Sequence, residues 1–349
     1  MKHILKFAAF SLATLLLAFS VGCSKSEEAP KGPTLSMYLK DNIKSGDPVG
    51  AYDSVSLEPL PQVYESPYEY AYFKKKKTIV PLLADGMPTS ANGNTLITFK
   101  IKKGVLFQDD AAFPDGKGRE LKAQDFIYGW KRHAITRSHS EGFWIFDGKV
   151  VGYNDFQAKF KDEASEDAIM AAEIEGMKAL DDYTIQLKLT KPYPQLIYIL
   201  AMTFTAPMAI EVVKKYGPEI INHPVGTGPY RVVSWEPQSK VILTKNPTFR
   251  EVLFPAAKDI DPDFSEARVY VGRRLPLVDN LTFRVIHEDQ PRWLEHIAGN
   301  IDQIEIPKDN LVNAVKPDDV QTLKDEWTQK GFKLSVEEGV VYWYMFLNM

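Results

Sequence analysis

The chain has 349 residues, and its 42 Lys and Arg stand against 46 Asp and Glu for a net charge of −4 with both signs interspersed. That balance argues against a nucleic-acid partner, which asks for a basic face, and a single cysteine excludes an intrachain disulfide framework. The 16 Tyr, 19 Phe and 6 Trp suit a sugar- or peptide-binding cleft as well as they suit a plain core.

At the start, Lys2 and Lys6 precede an apolar run from Phe7 to Val21, broken by Ser11, Thr14 and Ser20. The run is short of the ~20 residues that cross a bilayer as a helix, so residues 1–22 read as a secretory signal. Ser20-Val21-Gly22-Cys23 resembles a bacterial lipobox, although Ser20 stands where Leu is usual. The resemblance implies cleavage before Cys23 and lipid on its thiol. The alternative is an ordinary secreted protein with a stray cysteine at the cut. At ~0.8 kcal/mol per buried methylene, several acyl chains would hold the protein to a membrane. Residues 23–33 are polar, charged and proline-bearing, and read as a flexible tether. From Thr34 onward no stretch is apolar enough to span a membrane, and the body is long enough to bury a large core in more than one lobe.

Lys74-Lys75-Lys76-Lys77 reads as a solvated turn or edge strand, with a docking or anionic-lipid patch as the alternative. Ile97, Phe99 and Ile101 alternate with Thr98, Lys100 and Lys102, the period of a half-buried strand. Phe126, Ile127, Trp130 and Ala134 share one face of a helix that Ala123 or Gln124 opens. Ile185, Leu187 and Leu189 predict another strand. Ile210, Val213 and Lys214 predict a helix with Pro207 in its first turn. Tyr230 to Trp235 and Val241 to Thr244 predict a hairpin across Glu236-Pro237-Gln238-Ser239. Glu251 to Pro276 has no period and reads as an irregular insertion. Leu281, Phe283 and Val285 predict a strand. Pro291 opens a helix with Trp293, Leu294 and Ile297 that Gly299 ends, and Val320, Leu323 and Trp327 predict a helix closed by Gly331. Strands and helices mix without strict alternation, which favours α/β or α+β lobes over a sandwich or bundle.

Enzyme chemistry finds little support. Gly226-Thr227-Gly228-Pro229 lacks the Gly-Lys-Ser/Thr of a phosphate loop, and Pro229 removes a donor. His287, Glu295 and His296 do not form His-Glu-x-x-His; His296 and Arg292 read as an exposed pair, and His133 and His139 have no carboxylate pair nearby. No Gly-x-Ser-x-Gly elbow occurs. The doublets Asp109-Asp110 and Asp181-Asp182 would point to opposite faces of a strand. No cofactor and no metal are expected, while isolated carboxylates leave a glycosidase open.

Seven ordered blocks do resemble one family. They are Asp47-Pro48 with Val63 to Tyr70, Val80 to Asp85, Thr95 to Asp109, Ala123 to Arg132, Lys178 to Thr184, His223 to Tyr230, and Gly299 to Asp302. Together they are similar to the extracytoplasmic solute-binding proteins of ABC importers, in the class that binds oligopeptides and dipeptides. Asp110 to Gly116 and Glu251 to Pro276 are longer than that pattern. The resemblance implies a periplasmic-binding-protein-like fold of two mixed α/β lobes that close on a ligand about a hinge. It implies a first lobe with an inserted subdomain at 34–275 and the start of a second lobe at 276–349. Val340 to Met349 resembles a strand that lies mid-chain in the family, which continues for roughly two hundred residues more. On that reading the chain is C-terminally truncated.

The implied function is capture of peptides, most simply oligopeptides, outside the membrane and delivery to ABC permease subunits, by a monomer held to the membrane through lipid. Position by position, the resemblance places Tyr52, Asp53 and Ser54 against peptide backbone, Phe143 or Trp144 on the pocket wall, and Val341 and Tyr344 in a hinge-adjacent strand. Each reads equally as core packing or plain loop. Gly226, Thr227, Gly228, Pro229 and Tyr230 read as fold-determining, their glycines permitting a tight turn. The alternatives are a lipoprotein enzyme acting on envelope polymers, and a binding protein for nickel, haem or a sugar. In radiolabelled-palmitate feeding, Cys23→Ala is expected to abolish acylation; undiminished labelling would overturn the lipid assignment.

Overall fold

The computed structural model describes residues 31–162 and 164–336. Strand β1 (Thr34–Leu39) is followed by the short helix α1 (Leu60–Val63) and by β2 (Tyr68–Tyr70), β3 (Ile79–Pro81), β4 (Thr89–Ala91) and β5 (Leu96–Lys100). Helices α2 (Ala123–Arg132), α3 (Tyr153–Phe160) and α4 (Glu166–Ala171) precede β6 (Met177–Asp181) and β7 (Thr184–Lys188). Then come α5 (Leu196–Ile199), α6 (Ile210–Tyr216), β8 (Tyr230–Glu236), β9 (Lys240–Lys245) and β10 (Asn280–Val285). The described part ends with α7 (Asp289–Ile297), α8 (Leu311–Ala314), β11 (Val315–Lys316), β12 (Asp319–Leu323) and α9 (Asp325–Gln329).

Two four-stranded sheets organise these elements. The first has the order β1-β10-β9-β8, with β1 parallel to β10 and the other neighbours antiparallel. The second, β4-β5-β7-β6, is antiparallel throughout. The chain therefore leaves the first sheet after Leu39, builds the second, and returns at Tyr230. Period-two alternation is visible in both: Phe99, Ile185 and Leu187 are buried while Lys100 and Lys188 are exposed. The hairpin predicted across Pro237 is present. Glu251 to Pro276 contains 3₁₀ turns and one isolated bridge, Leu253 to Arg274. A separate small core of Trp293, Ala314 and Val315, with Ile304, Ile306, Leu323 and Trp327 packed on it, lies after β10.

Four local readings change. Val320 and Leu323 lie on β12, not on a helix, because Pro317-Asp318 makes a turn and Asp319 accepts from the Gln321 amide and the Thr322 hydroxyl; the helix starts at Asp325. Pro207 precedes α6 rather than opening it, since the helix begins at Ile210. Helix α7 begins at Asp289, ahead of Pro291. Arg292 is buried instead of exposed, because its guanidinium donates to the carbonyls of Ile286 and His287 and lies 5.2 Å over the Tyr38 ring.

Helix α2 is the centre of the molecule. Its residues are buried on every side, including Asp125, Lys131 and Arg132. A buried charge must be hydrogen-bonded or paired; Asp125 and Arg132 have an opposite charge, and Lys131 has three carbonyls. Asp125 takes a two-pronged bond from Arg119 (2.7 and 2.9 Å), which also grips Glu211 of α6. Lys131 donates to the carbonyls of Ile169, Met170 and Ala172, a cation on the C-terminus of α4. Arg132 forms a two-pronged pair with Asp47 at 3.0 and 2.7 Å. Removing one partner of a buried pair leaves the other uncompensated. Arg132→Met is therefore expected to cost about 3–5 kcal/mol in urea unfolding, and Asp47→Asn added to it should recover part of the loss. A loss below 1 kcal/mol would mean the pair is dispensable.

Candidate functional site

Helix α2 fixes two segments that carry exposed aromatic rings. On one side, Asp47 holds the turn from Ser45 to Ser56: its carboxylate accepts from the Val49 amide at 3.0 Å, and Ser45 Oγ donates to its carbonyl. On the other, Trp130 Nε1 donates to the Thr205 carbonyl (2.9 Å), and the Asp125 carbonyl accepts from the Met208 amide (3.1 Å). His133 Nε2 lies 2.8 Å from the Phe204 carbonyl, which can only accept, so this nitrogen carries the proton. Gly129 lets the strip approach: a Cβ there would sit 3.0 Å from the Ala206 carbonyl.

From this frame a string of rings faces solvent. Tyr52 is 53% exposed and stacks on Phe204 (centroids 6.3 Å, 26° between planes). Tyr198, on α5, stacks with Tyr70 (6.4 Å, 29°), both more than 40% exposed. Beside Tyr198 lies a surface pocket of about 700 Å³ walled by Trp144, Lys149, Lys191, Tyr193, Tyr198 and Met202. A second cavity of about 300 Å³ shares Pro192 and Tyr193 with it. The segment from Leu196 to Thr205 supplies Tyr198, Met202 and Phe204, and so joins the pocket to the Tyr52 stack.

The residues singled out from sequence fall into five groups. Tyr52 and Trp144 belong to the exposed string. Ser54 is exposed, but Asp53 is committed to its own turn, accepting from the Ser56 amide (2.9 Å) and hydroxyl (2.7 Å). Phe143 packs inward against Tyr153 (5.7 Å, 27°). Cys23, Val341 and Tyr344 lie outside the described residues. The block Gly226 to Tyr230 is bound to the protein itself. Thr227 donates to Glu65 (3.0 Å), the Gly228 amide to the Val63 carbonyl (2.8 Å), and Tyr230 OH to the Val278 carbonyl (3.0 Å). Neither glycine has a positive φ. A Cβ at Gly226 would lie 2.1 Å from the Val63 carbonyl, so close approach, and not turn geometry, excludes a side chain.

Glu65 also takes a two-pronged bond from Arg250 (2.7 Å each), next to Glu69. Burial, with Glu65 adding repulsion, pushes the Glu69 carboxyl up to about 7. Among the described residues no cluster of three or more His, Cys, Asp or Glu is disposed to hold a metal. None of their helices is long and apolar enough to cross a membrane.

Residues 78–349 match the family model of bacterial extracellular solute-binding proteins, family 5 (middle region). The chain belongs to this family. Among its relatives, the glutathione-binding protein GsiB of Salmonella choleraesuis (strain SC-B67) is 25% identical over 288 residues, covering 82% of this chain and 43% of that one. The periplasmic murein peptide-binding protein MppA of Escherichia coli (strain K12) is 27% identical over 192 residues, covering 53% and 32%. A solved periplasmic oligopeptide-binding protein of Borrelia burgdorferi superposes with a TM-score of 0.62 at 18% identity, covering 80% of this chain and 49% of that one. The fold is the mixed α/β fold of those two-lobed proteins. The chain spans about half the length of the relatives it matches.

Sequence reasoning missed Tyr70, Tyr198, Tyr193, Lys149 and Lys191. A usable signal was Lys191-Pro192-Tyr193-Pro194, where two prolines of fixed φ brace one aromatic ring. Burial holds the His133 imidazole down at about 4, against 6.5 in the open chain. The unfolded chain thus binds a proton that the folded one refuses between these values. Stability is expected to fall as pH drops from about 6.5 to about 4, by on the order of 3 kcal/mol. His133→Asn should be weaker at pH 7 yet flatter across that window in urea unfolding; an unchanged slope would show that another group controls it.

Proposed function

We propose that this chain belongs to the ligand-capturing component of an ABC importer and that its ligands are peptides. Family 5 membership is the observation that carries the reading, and the string of exposed, backed aromatic rings supports it. Rings bury large apolar area without demanding a particular hydrogen-bond partner, so they tolerate many side chains. A bound peptide's own N–H and C=O groups would be met by backbone groups of the cleft. In this reading Tyr52 and Trp144 line the first-lobe wall, with Ser54 beside Tyr52. Val341 and Tyr344 would contribute from the hinge-adjacent strand.

The first lobe, on this proposal, runs from Thr34 past the expected end at 275 through β10, because β10 pairs with β1. The second begins after Val285, where the separate core of Trp293 and Val315 forms. Work is done by differential affinity: ligand favours the closed form, and that form docks on permease subunits. Lipid on Cys23 would keep the protein at the extracytoplasmic face, near its permease.

A second reading, a glutathione-sized ligand, is favoured by the 25% identity to a glutathione-binding relative. Native mass spectrometry of the purified protein separates the two. A heterogeneous set of co-purified short peptides is expected; one species of glutathione mass would select the second reading, and a bound metal or haem would overturn both. Tyr52→Ala and Tyr198→Ala are expected to weaken peptide binding about five- to tenfold each, the range of a lost aromatic contact.

A further inference from the structure

We propose that the pocket beside Trp144 receives a carboxylate carried on an apolar body, either the C-terminal carboxylate or an acidic side chain of a bound peptide. The proposal rests on the peptide reading above and names the ligand chemistry of one part of that site.

Two cations and no anion line the pocket. Its walls include Lys149 and Lys191, and no Asp or Glu. Lys149 is half-buried and held in place: its ammonium donates to the Trp144 carbonyl and lies 5.8 Å from the Trp144 ring centre and 5.4 Å from that of Tyr193. An ammonium has three donors, and one is spent on that carbonyl. Among the described residues neither the half-buried Lys149 nor the exposed Lys191 makes an ion pair, although most other half-buried cations of the chain, such as Lys74, Arg119 and Lys122, do. Apart from the neutral amide of Gln195, the remaining wall is apolar, with Trp144, Tyr193, Tyr198 and Met202 supplying rings and a thioether. Pro192 and Pro194 brace Tyr193, so its wall is preorganised.

The arrangement discriminates by charge. A neutral apolar group would fill the volume but leave the half-buried Lys149 ammonium partly stripped of water with nothing in return. A positive group would be repelled by both. A carboxylate can accept charge-assisted hydrogen bonds from both lysines while its carbon body lies on the rings. Because the pocket is open to solvent, screening keeps the preference moderate, about tenfold at low salt, and it should shrink as salt rises.

The test uses paired peptides and the purified protein labelled with ¹⁵N at indole nitrogens. Ala-Ala-Phe is compared with its C-terminal amide, and amidated Ala-Glu-Phe with amidated Ala-Gln-Phe. Affinity comes from calorimetry, and pocket occupancy from the Trp144 indole resonance, assigned by its absence in Trp144→Phe. The expected result is that at least one acidic member binds about tenfold more tightly than its neutral partner and shifts the Trp144 signal. The first pair reports the terminal carboxylate and the second the side chain. The preference should vanish in Lys149→Met/Lys191→Met and drop in Lys191→Met alone, a surface change that leaves the Trp144 carbonyl contact intact. Equal binding within both pairs, a preference that survives the double substitution, or binding that leaves Trp144 unmoved would each overturn the proposal. If no peptide binds, the peptide reading fails, and the pocket is judged with N-acetylphenylalanine against its amide at millimolar concentration. A Trp144 shift by the acid alone then sustains the charge preference, and no shift by either overturns it.

Discussion

A helix buried on all sides that carries three ionised residues is the constraint on which the rest of this structure depends. Helix α2 cannot leave Asp125, Lys131 or Arg132 unpaired, since an uncompensated interior charge costs several kcal/mol. Their partners are Arg119, close in sequence and itself gripped by the distant Glu211, and, from farther along the chain, the C-terminus of α4 and Asp47. The Asp47 pairing fixes a segment that has little regular structure of its own, and the other two tie in helices α6 and α4. The turn bearing Tyr52 and the strip bearing Phe204 are loops by conformation but share one rigid foundation. Loops placed by a scaffold in this way are where binding surfaces usually form.

A second polar knot does the same for the other side. Glu65 accepts from Arg250 and Thr227, so the block Gly226 to Tyr230 and the start of the irregular stretch after Glu251 meet the end of α1 at one carboxylate. The irregular stretch is then packed by rings rather than by secondary structure, with Phe73 against Phe254 and Phe264, and Asp261 against Lys74. The lysine run beside it is accordingly a turn tied to the insertion at Lys74 and Lys75 and exposed at Lys76 and Lys77.

How much of this was legible depended on whether the signal was local. Strands β5, β7, β8, β9 and β10 were readable from alternation, and α2 from its apolar face. The total burial of α2 was not, because Lys131 and Arg132 look like solvent residues until their distant partners are known. Strand β1 went unread because Thr34 to Leu39 is partly buried on both faces and is defined by parallel pairing with β10, far along the chain. Val320 and Leu323 have helical spacing, yet the Pro317-Asp318 turn and the Asp319 side chain impose a strand. At the site, Tyr52 and Trp144 came from resemblance alone. Tyr70 and Tyr198 meet only in the folded chain, and Lys149 and Lys191 gain meaning only from the absence of acids around their pocket.

The backing of each exposed ring bears on breadth of recognition. Tyr52 rests on Phe204, Tyr198 on Tyr70, and Lys149 on Trp144 and Tyr193. A ring or ammonium already held in position gives up little freedom when a ligand arrives, so the entropic penalty of binding falls mainly on the ligand. Stacking surfaces without fixed hydrogen-bond partners also impose no heavy desolvation cost on a mismatched side chain, because no buried polar group is left unpaired. Selectivity must then come from the few polar groups that are held but not internally neutralised. Lys149 meets that description, with the exposed Lys191 lining the same pocket, whereas Asp53 does not, its carboxylate being occupied by Ser56. A surface of this kind accepts many apolar ligands loosely and sorts them by charge at one place.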